Sequence, residues 1–199
     1  MLISMISICT MKKIKLSINF VTSNKNKAEE FRQILEPKIK INHIEISYPE
    51  MRSDYPLEIA KQSSEMLANK LGKNVVVEDS GLFIKSLNGF PGTCSAYIHK
   101  RIGLYGIIKL MKGTKDRECI YKSAVAYCEP KGLPVAFLGE EKGQIAKSIK
   151  GKFGFGHDPI FIAQGRNKTY GQIKNCMELK KFRRIAVEKL KEYLSNEPL

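Results

Sequence analysis

VVVEDSGLFI, Val75 to Ile84, decides how the chain is read. Val75 to Val77 are β-branched and read as a strand buried on both faces. Glu78 and Asp79 then stand at its end, followed by Ser80 and Gly81. Carboxylates desolvate at high cost unless something pairs with them. Either the strand leaves the core for solvent at this point, or the two acids hold something.

Upstream, Ile14 to Val21 reads as a strand ending in TSNKNK, and Ala28, Phe31, Ile34 and Leu35 fall at helical spacing. Pro37 stops that helix, and Lys40 to Ile46 alternates as a second strand. Leu57 to Leu71 is helical, with Gly72 as its stop. Downstream, Leu104, Ile107, Ile108 and Met111 mark a helix closed by Gly113. Glu118 to Tyr127 and Leu133 to Leu138 read as antiparallel strands joined through EPKG. EEKG reads as a turn into a further strand, Gln144 to Ile149. A basic helix runs from about Asn175 to Leu194. This order predicts an α/β fold with a mixed, twisted β-sheet flanked by helices. Two lobes with a ligand cleft between them are expected.

The 199 residues suffice for one domain, placed at 11–199, with residues 1–10 expected to be an extension or a mis-assigned start. No apolar run approaches the roughly 20 residues of a membrane helix. The five cysteines, at 9, 94, 119, 128 and 176, show no C-x-x-C spacing, which predicts reduced thiols and a cytoplasmic protein. A formal net charge of +14 favours an anionic partner, but the basic residues form no long block.

Several segments carry candidate chemistry. Thr22, Ser23, Asn24, Lys25, Asn26 and Lys27 sit where a strand gives way to a helix, where unpaired N–H groups attract anions. Ser23 or Asn24 would also serve as a plain helix cap. Glu50 follows Pro49 in a loop. Glu78 to Gly81 offers oxygen ligands of the kind Mg²⁺ takes, or a simple turn. GKFGFGHDP, Gly151 to Pro159, interleaves glycines with Phe153, Phe155 and His157, a composition suited to a flat base. KKFRR, Lys180 to Arg184, is either a solvated helix face or a phosphate-closing one.

In their order, VTSNKNKAEEF, YPEM, VEDSGLFIKSLNGFPG and GFGHDPIF with KTY resemble the inosine/xanthosine triphosphate pyrophosphatase family over about Ile18 to Tyr170. The resemblance implies Mg²⁺-dependent cleavage of ITP, dITP or XTP to the monophosphate and pyrophosphate, by a homodimer. Position by position, it implies that Thr22 to Lys27 hold the triphosphate. Glu50 and Asp79 would bind the metal, and Asp79 would accept the proton. Ser80 would touch substrate, and Phe155, Gly156, His157 and Asp158 would form the base pocket. His157 departs from the Tyr or Trp usual there. The family's lysine and Ser-His-Arg are replaced by MELKKFRR. An ungapped reading puts Glu178 at the lysine; a small gap puts Lys180 there, with Arg183 and Arg184 following. Two other readings share the motifs: a pyrophosphatase for other modified nucleotides, and a basic nucleic-acid-binding protein on a decayed enzyme scaffold. The intact acids and the Thr22–Lys27 loop oppose the second, so nucleic acid is not the expected partner.

Overall fold

The computed structural model describes residues 16–196; the strand start at Ile14 and the extension at 1–10 lie outside them. Strand β1 is Ser17–Val21, and helix α1 is Lys25–Leu35. Asn24 caps α1, its side chain accepting from the amides of Asn26 and Lys27 at 3.0 and 3.3 Å. Strand β2 is Lys40–Ile44, and α2 is Pro56–Leu71, with proline in its first turn and Gly72 left-handed at its end. Then come β3 (Val75–Ile84), β4 (Pro91–Gly92) and α3 (Ser95–Leu110). Strands β5 (Glu118–Cys128), β6 (Val135–Ile145) and β7 (Phe161–Ala163) follow, then α4 (Cys176–Leu179) and α5 (Lys181–Asn196).

One seven-stranded mixed sheet runs in the order β2-β1-β3-β5-β6-β7, with β4 on the edge of β3; it is not closed into a barrel. β1 pairs in parallel with β2 and β3, and the remaining pairs are antiparallel.

The structure corrects three readings. β3 does not end at Val77, because β5 pairs with it from Val75↔Cys128 to Ile84↔Cys119. The acids are mid-strand. What stops there is β1, whose pairing with β3 is Asn19↔Val75 and Phe20↔Val76. The opposite end of the same edge is taken by β4 at Leu82 and Phe83. Between them, around Glu78 to Gly81, no strand among the described residues pairs with that edge. Gly81 is required here: a Cβ would come within 2.0 Å of the Gly92 carbonyl oxygen.

EEKG is not a turn but the middle of β6. Lys122 pairs with Glu140 across the strands at 3.0 Å. Glu141 turns inward, accepts from the Tyr170 hydroxyl at 2.5 Å, and takes the amide of Lys181 at 2.9 Å. It thus serves the unpaired amides at the start of α5. The C-terminal helix is two helices, broken at Lys180, whose backbone is extended.

Successive β3 side chains point to opposite faces. Val76 joins a core with Ile18, Phe20, Phe31 and Leu190, under α1 and α5. Leu82 and Ile84 join another with Ile107, Phe161 and Tyr170. Glu78 and Ser80 interrupt the apolar surface between these two cores. On the opposite face Val75 and Val77 pack on Ala60, Leu67 and Ala68 of α2. The two cores mark the two lobes, and α5 bridges them through Phe182 on one side and Ala186 on the other.

Candidate active site

Glu78 is buried and fully engaged. Its Oε2 meets Lys27 Nζ at 2.7 Å, and its Oε1 accepts from Ser123 at 2.6 Å and Arg183 Nε at 3.1 Å. Burial alone would push its carboxyl up; Arg183 and Lys27 reverse that and hold it at about 2. Arg183 also donates to Glu30 and, at 3.2 Å, to Ser80 Oγ. Glu30 accepts from Lys180 at 2.8 Å, and Lys180 pairs with Asp158 at 2.9 Å. Two buried cations, Lys180 and Arg183, the half-buried Lys27 and three buried anions form one chain across α1, β3, the 151–159 loop, the α4–α5 break and α5. Each charge has a partner, as burial demands.

Asp79 differs. It lies on the other face of β3, buried, with Oδ2 lacking any hydrogen-bond partner. Burial pushes its carboxyl up to about 7, with Lys27 opposing and the charges of Glu78 and Glu50 adding to the rise. Glu50 sits in the exposed loop after β2, close enough to act on Asp79 and hydrogen-bonded to Tyr48. Burial, Glu50 and Asp79 together push the Tyr48 hydroxyl well up. An orphaned buried carboxylate oxygen beside a second carboxylate, with oxygen donors only, fits a hard divalent cation.

Asn24, Asn26, Lys27, Ser80, Phe155, Gly156, His157, Asp158, Lys180 and Arg183 line one pocket of about 300 Å³ between the lobes. Helix α3 contributes Ser95, Ala96 and His99 to the wall. Gly154 lets the loop close on Asp158: a Cβ there would meet Oδ2 at 2.1 Å, and φ is +73°. Asp158 Oδ2 accepts from the Phe155 amide at 2.7 Å. Lys180 Nζ lies 4.0 Å from the Phe155 ring centre.

The other sequence candidates lie elsewhere. Thr22 is buried at the end of β1, its Oγ1 accepting from the Asn24 amide at 3.1 Å. Ser23 is exposed, and Lys25, 77% exposed, faces Glu45 at 3.6 Å. Arg184 points away from the pocket toward Glu188 and the Glu178 carbonyl. Lys180, and not Glu178, is the residue in the pocket; Glu178 is exposed. Arg183 is spent on Glu78, Glu30 and Ser80, so it braces the site. Glu30, Tyr48, His99 and Ser123 were not singled out from sequence. The partners of Glu30, His99 and Ser123 lie far along the chain, at Lys180, His157 and Glu78. Inward-facing Glu30, two residues after Ala28 on an otherwise apolar helix face, was the one available signal.

The Ham1 family model matches residues 18–193. A dITP/XTP pyrophosphatase of Methanopyrus kandleri is 43% identical over 183 residues, covering 91% of this chain and 97% of that protein. A dITP/XTP pyrophosphatase of Korarchaeum cryptofilum is 40% identical over 175 residues, 88% of this chain and 94% of that one. Among solved structures, the Staphylococcus aureus Ham1 protein superposes with a TM-score of 0.79 at 28% identity, over 92% of this chain and all of that one. A HAM1 protein from Coxiella burnetii gives 0.78 at 25% identity, with the same coverage. Sequence and fold agree over nearly the whole length, and the chain belongs to the Ham1 family.

Proposed function

We propose that the protein hydrolyses deaminated purine nucleoside triphosphates, ITP, dITP and XTP, to the monophosphate and pyrophosphate. The observation that carries this is the partnerless buried Asp79 oxygen, acted on by the charges of Lys27 and Glu50, where no described strand pairs with the edge of β3. Relatives that match most of the chain bear the name dITP/XTP pyrophosphatase, which supports the substrate class.

The triphosphate lies at the α1 N-terminus, where the positive end of the helix and the Lys27 ammonium attract its charge. The base points into the pocket toward Phe155 and His157. Glu50 and Asp79 hold a divalent cation, Mg²⁺, which when bound supplies charge neutralisation on phosphate oxygens and acidifies water. Asp79 would orient the attacking water and accept its proton. Lys27 stabilises charge growing on the leaving pyrophosphate. Glu78, held ionised by Arg183, keeps Lys27 in place. The same reading takes residues 11–199 as one functional domain, in a cytoplasmic homodimer, the assembly to be checked by sedimentation.

The test is pyrophosphate release from ITP, dITP, XTP, GTP and ATP, with Mg²⁺ and with EDTA. Metal-dependent cleavage favouring the first three by at least tenfold in kcat/KM is expected. Equal cleavage of all five, or none, would reject the reading.

A further inference from the structure

The pocket between the lobes does not account for the charge of the chain. The formal net charge is +14, yet Lys27, Lys180 and Arg183 are each paired with a buried carboxylate. The excess lies elsewhere. No acid stands between Asp79 and Asp116, nor between Glu141 and Asp158. The fold brings these two segments together where α3 ends and β6 has just finished.

Lys109, Lys112, Lys115 and Lys147 line a cavity of about 710 Å³ there, and no carboxylate stands in its wall. Arg117 builds that wall rather than charging it. Its Nε donates to the Ile145 carbonyl at 2.6 Å, and its terminal nitrogens donate to Met111 and Ala146 at 2.9 and 2.7 Å. These bonds pin the end of α3 to the residues after β6.

All four lysines are exposed, and among the described residues none of their ammonium groups makes a hydrogen bond or an ion pair. Asp116, which follows Lys115, is turned away to Lys85 at 3.4 Å and to the Glu118 amide at 3.0 Å. On the neighbouring strands the lysines are matched, Lys85 to Glu118 at 2.8 Å and Lys122 to Glu140 at 3.0 Å. A helix C-terminus favours a cation in its last turn, which accounts for Lys109, but Lys115 and Lys147 come from other segments. Four like charges around one concavity repel one another, and an entering anion relieves that.

Tyr105 stands in the same wall and is 73% exposed. A bare phosphate needs no aromatic ring, whereas an exposed ring beside phosphate-binding cations gives an unpaired base a face to stack on. A duplex keeps the faces of its bases covered, and a membrane leaflet is flat where these lysines converge on a hollow.

We infer that this cavity binds single-stranded nucleic acid, with Lys109, Lys112, Lys115 and Lys147 taking its phosphates and Tyr105 stacking on a base. The surface shares no residue with the pocket between the lobes, so it is independent of the nucleotide reading above.

The experiment is fluorescence anisotropy of a short labelled oligothymidylate, a strand that neither pairs with itself nor brings a purine to the other pocket. Wild type is expected to bind at low salt, with log K falling against log salt at a slope of about −3, the value for four phosphates on a single strand. Lys109→Ala/Lys112→Ala/Lys147→Ala should weaken binding at least tenfold and make the slope shallower by about 2. Tyr105→Leu should weaken it by about fivefold or more and keep the slope. Hydrolysis of ITP should be the same in both. A control, Lys61→Ala/Lys70→Ala/Lys73→Ala, removes the same charge from exposed positions on α2 and just beyond it, and should bind within twofold of wild type. No binding by wild type overturns the inference. So does an equal loss in both triple variants, which marks net charge alone. A duplex that binds as tightly as the strand, with Tyr105→Leu unaffected, overturns the single-strand assignment. A wild type that floats with phosphatidylserine vesicles and ignores the oligonucleotide gives the surface to a membrane and overturns it too. Should the first triple variant fail to fold, Lys147→Ala and Tyr105→Leu decide, since unchanged affinity in both also overturns it.

Discussion

Asp79 and Glu78 are adjacent, yet their situations are opposite. Glu78 has every oxygen engaged, while Asp79 keeps one buried oxygen with no partner. Holding an unpaired carboxylate ready for a cation and a water costs folding free energy, a usual trade at reactive sites. Asp79→Asn should therefore lower hydrolysis by a thousandfold or more while stabilising the metal-free fold by about 1–3 kcal/mol at pH 8. Millimolar Mg²⁺ should raise the Tm of the wild type and not that of the variant, since only binding to the folded form adds stability. A variant that melts below wild type, or responds equally to Mg²⁺, would remove Asp79 from the cation site. Arg183 is the converse case. Its guanidinium reaches Glu78, Glu30 and Ser80 together, which a lysine ammonium cannot do. Arg183→Lys should cost about 2–4 kcal/mol in urea unfolding, because it leaves buried carboxylates underpaired. A loss below about 0.5 kcal/mol, the level of an ordinary surface substitution, would show that the network does not brace the fold.

Helix α3 is two pieces. Gly103 has φ 61° and ψ −169°, a conformation essentially reserved for glycine, and only Ser95 and Ile107 of the helix are fully buried. The first piece carries His99 to the pocket, and the second anchors Ile107 in the core. Gly103→Ala should cost about 1–3 kcal/mol and misplace His99, raising KM for ITP more than it lowers kcat. An unchanged KM beside a lowered Tm would confine Gly103 to stability. The same helix shows where sequence reading stops. Leu104, Ile107 and Met111 announce its anchored half by their spacing, but Tyr97, His99 and Ile102 follow no buried stripe, so the pocket-lining half had no signal. β3 and β6 failed for another reason. Their charged middles, EDS and GEEK, break the apolar run that marks a strand, and the pairing with β5 that overrides this is long-range. β1, α1, β2 and α2 were legible because each has an apolar periodicity and a local stop such as Pro37 or Gly72. The loop motifs were legible as chemistry. Their closure into one charge chain through Glu30, 150 residues from Lys180, was not.

For the whole molecule, the buried titrating groups set how stability depends on pH, and two of them oppose each other. His157 is pulled down from 6.5 to about 4, mainly by burial. The unfolded chain therefore binds more protons than the folded one between those values, and His157 makes stability fall as pH drops from 6.5 toward 4. Asp79 is raised from 3.8 to about 7, so it contributes stability at low pH that is lost as pH rises through 7. Between pH 4.5 and 6.5 each contributes about 2 kcal/mol, of opposite sign. Metal-free wild type should therefore be nearly flat in that window. Glu78, held at about 2, adds a loss only below its unfolded value of 4.5, so steep acid unfolding should begin there. Replacing Asp79 by Asn removes one arm of the balance. In that variant, urea unfolding should show stability rising by about 2 kcal/mol from pH 4.5 to 6.5. Adding His157→Gln should flatten the curve again. A variant lacking Asp79 that stays flat on its own would mean that His157 is not held neutral by its surroundings, and that the pocket around it is wetter than its packing implies.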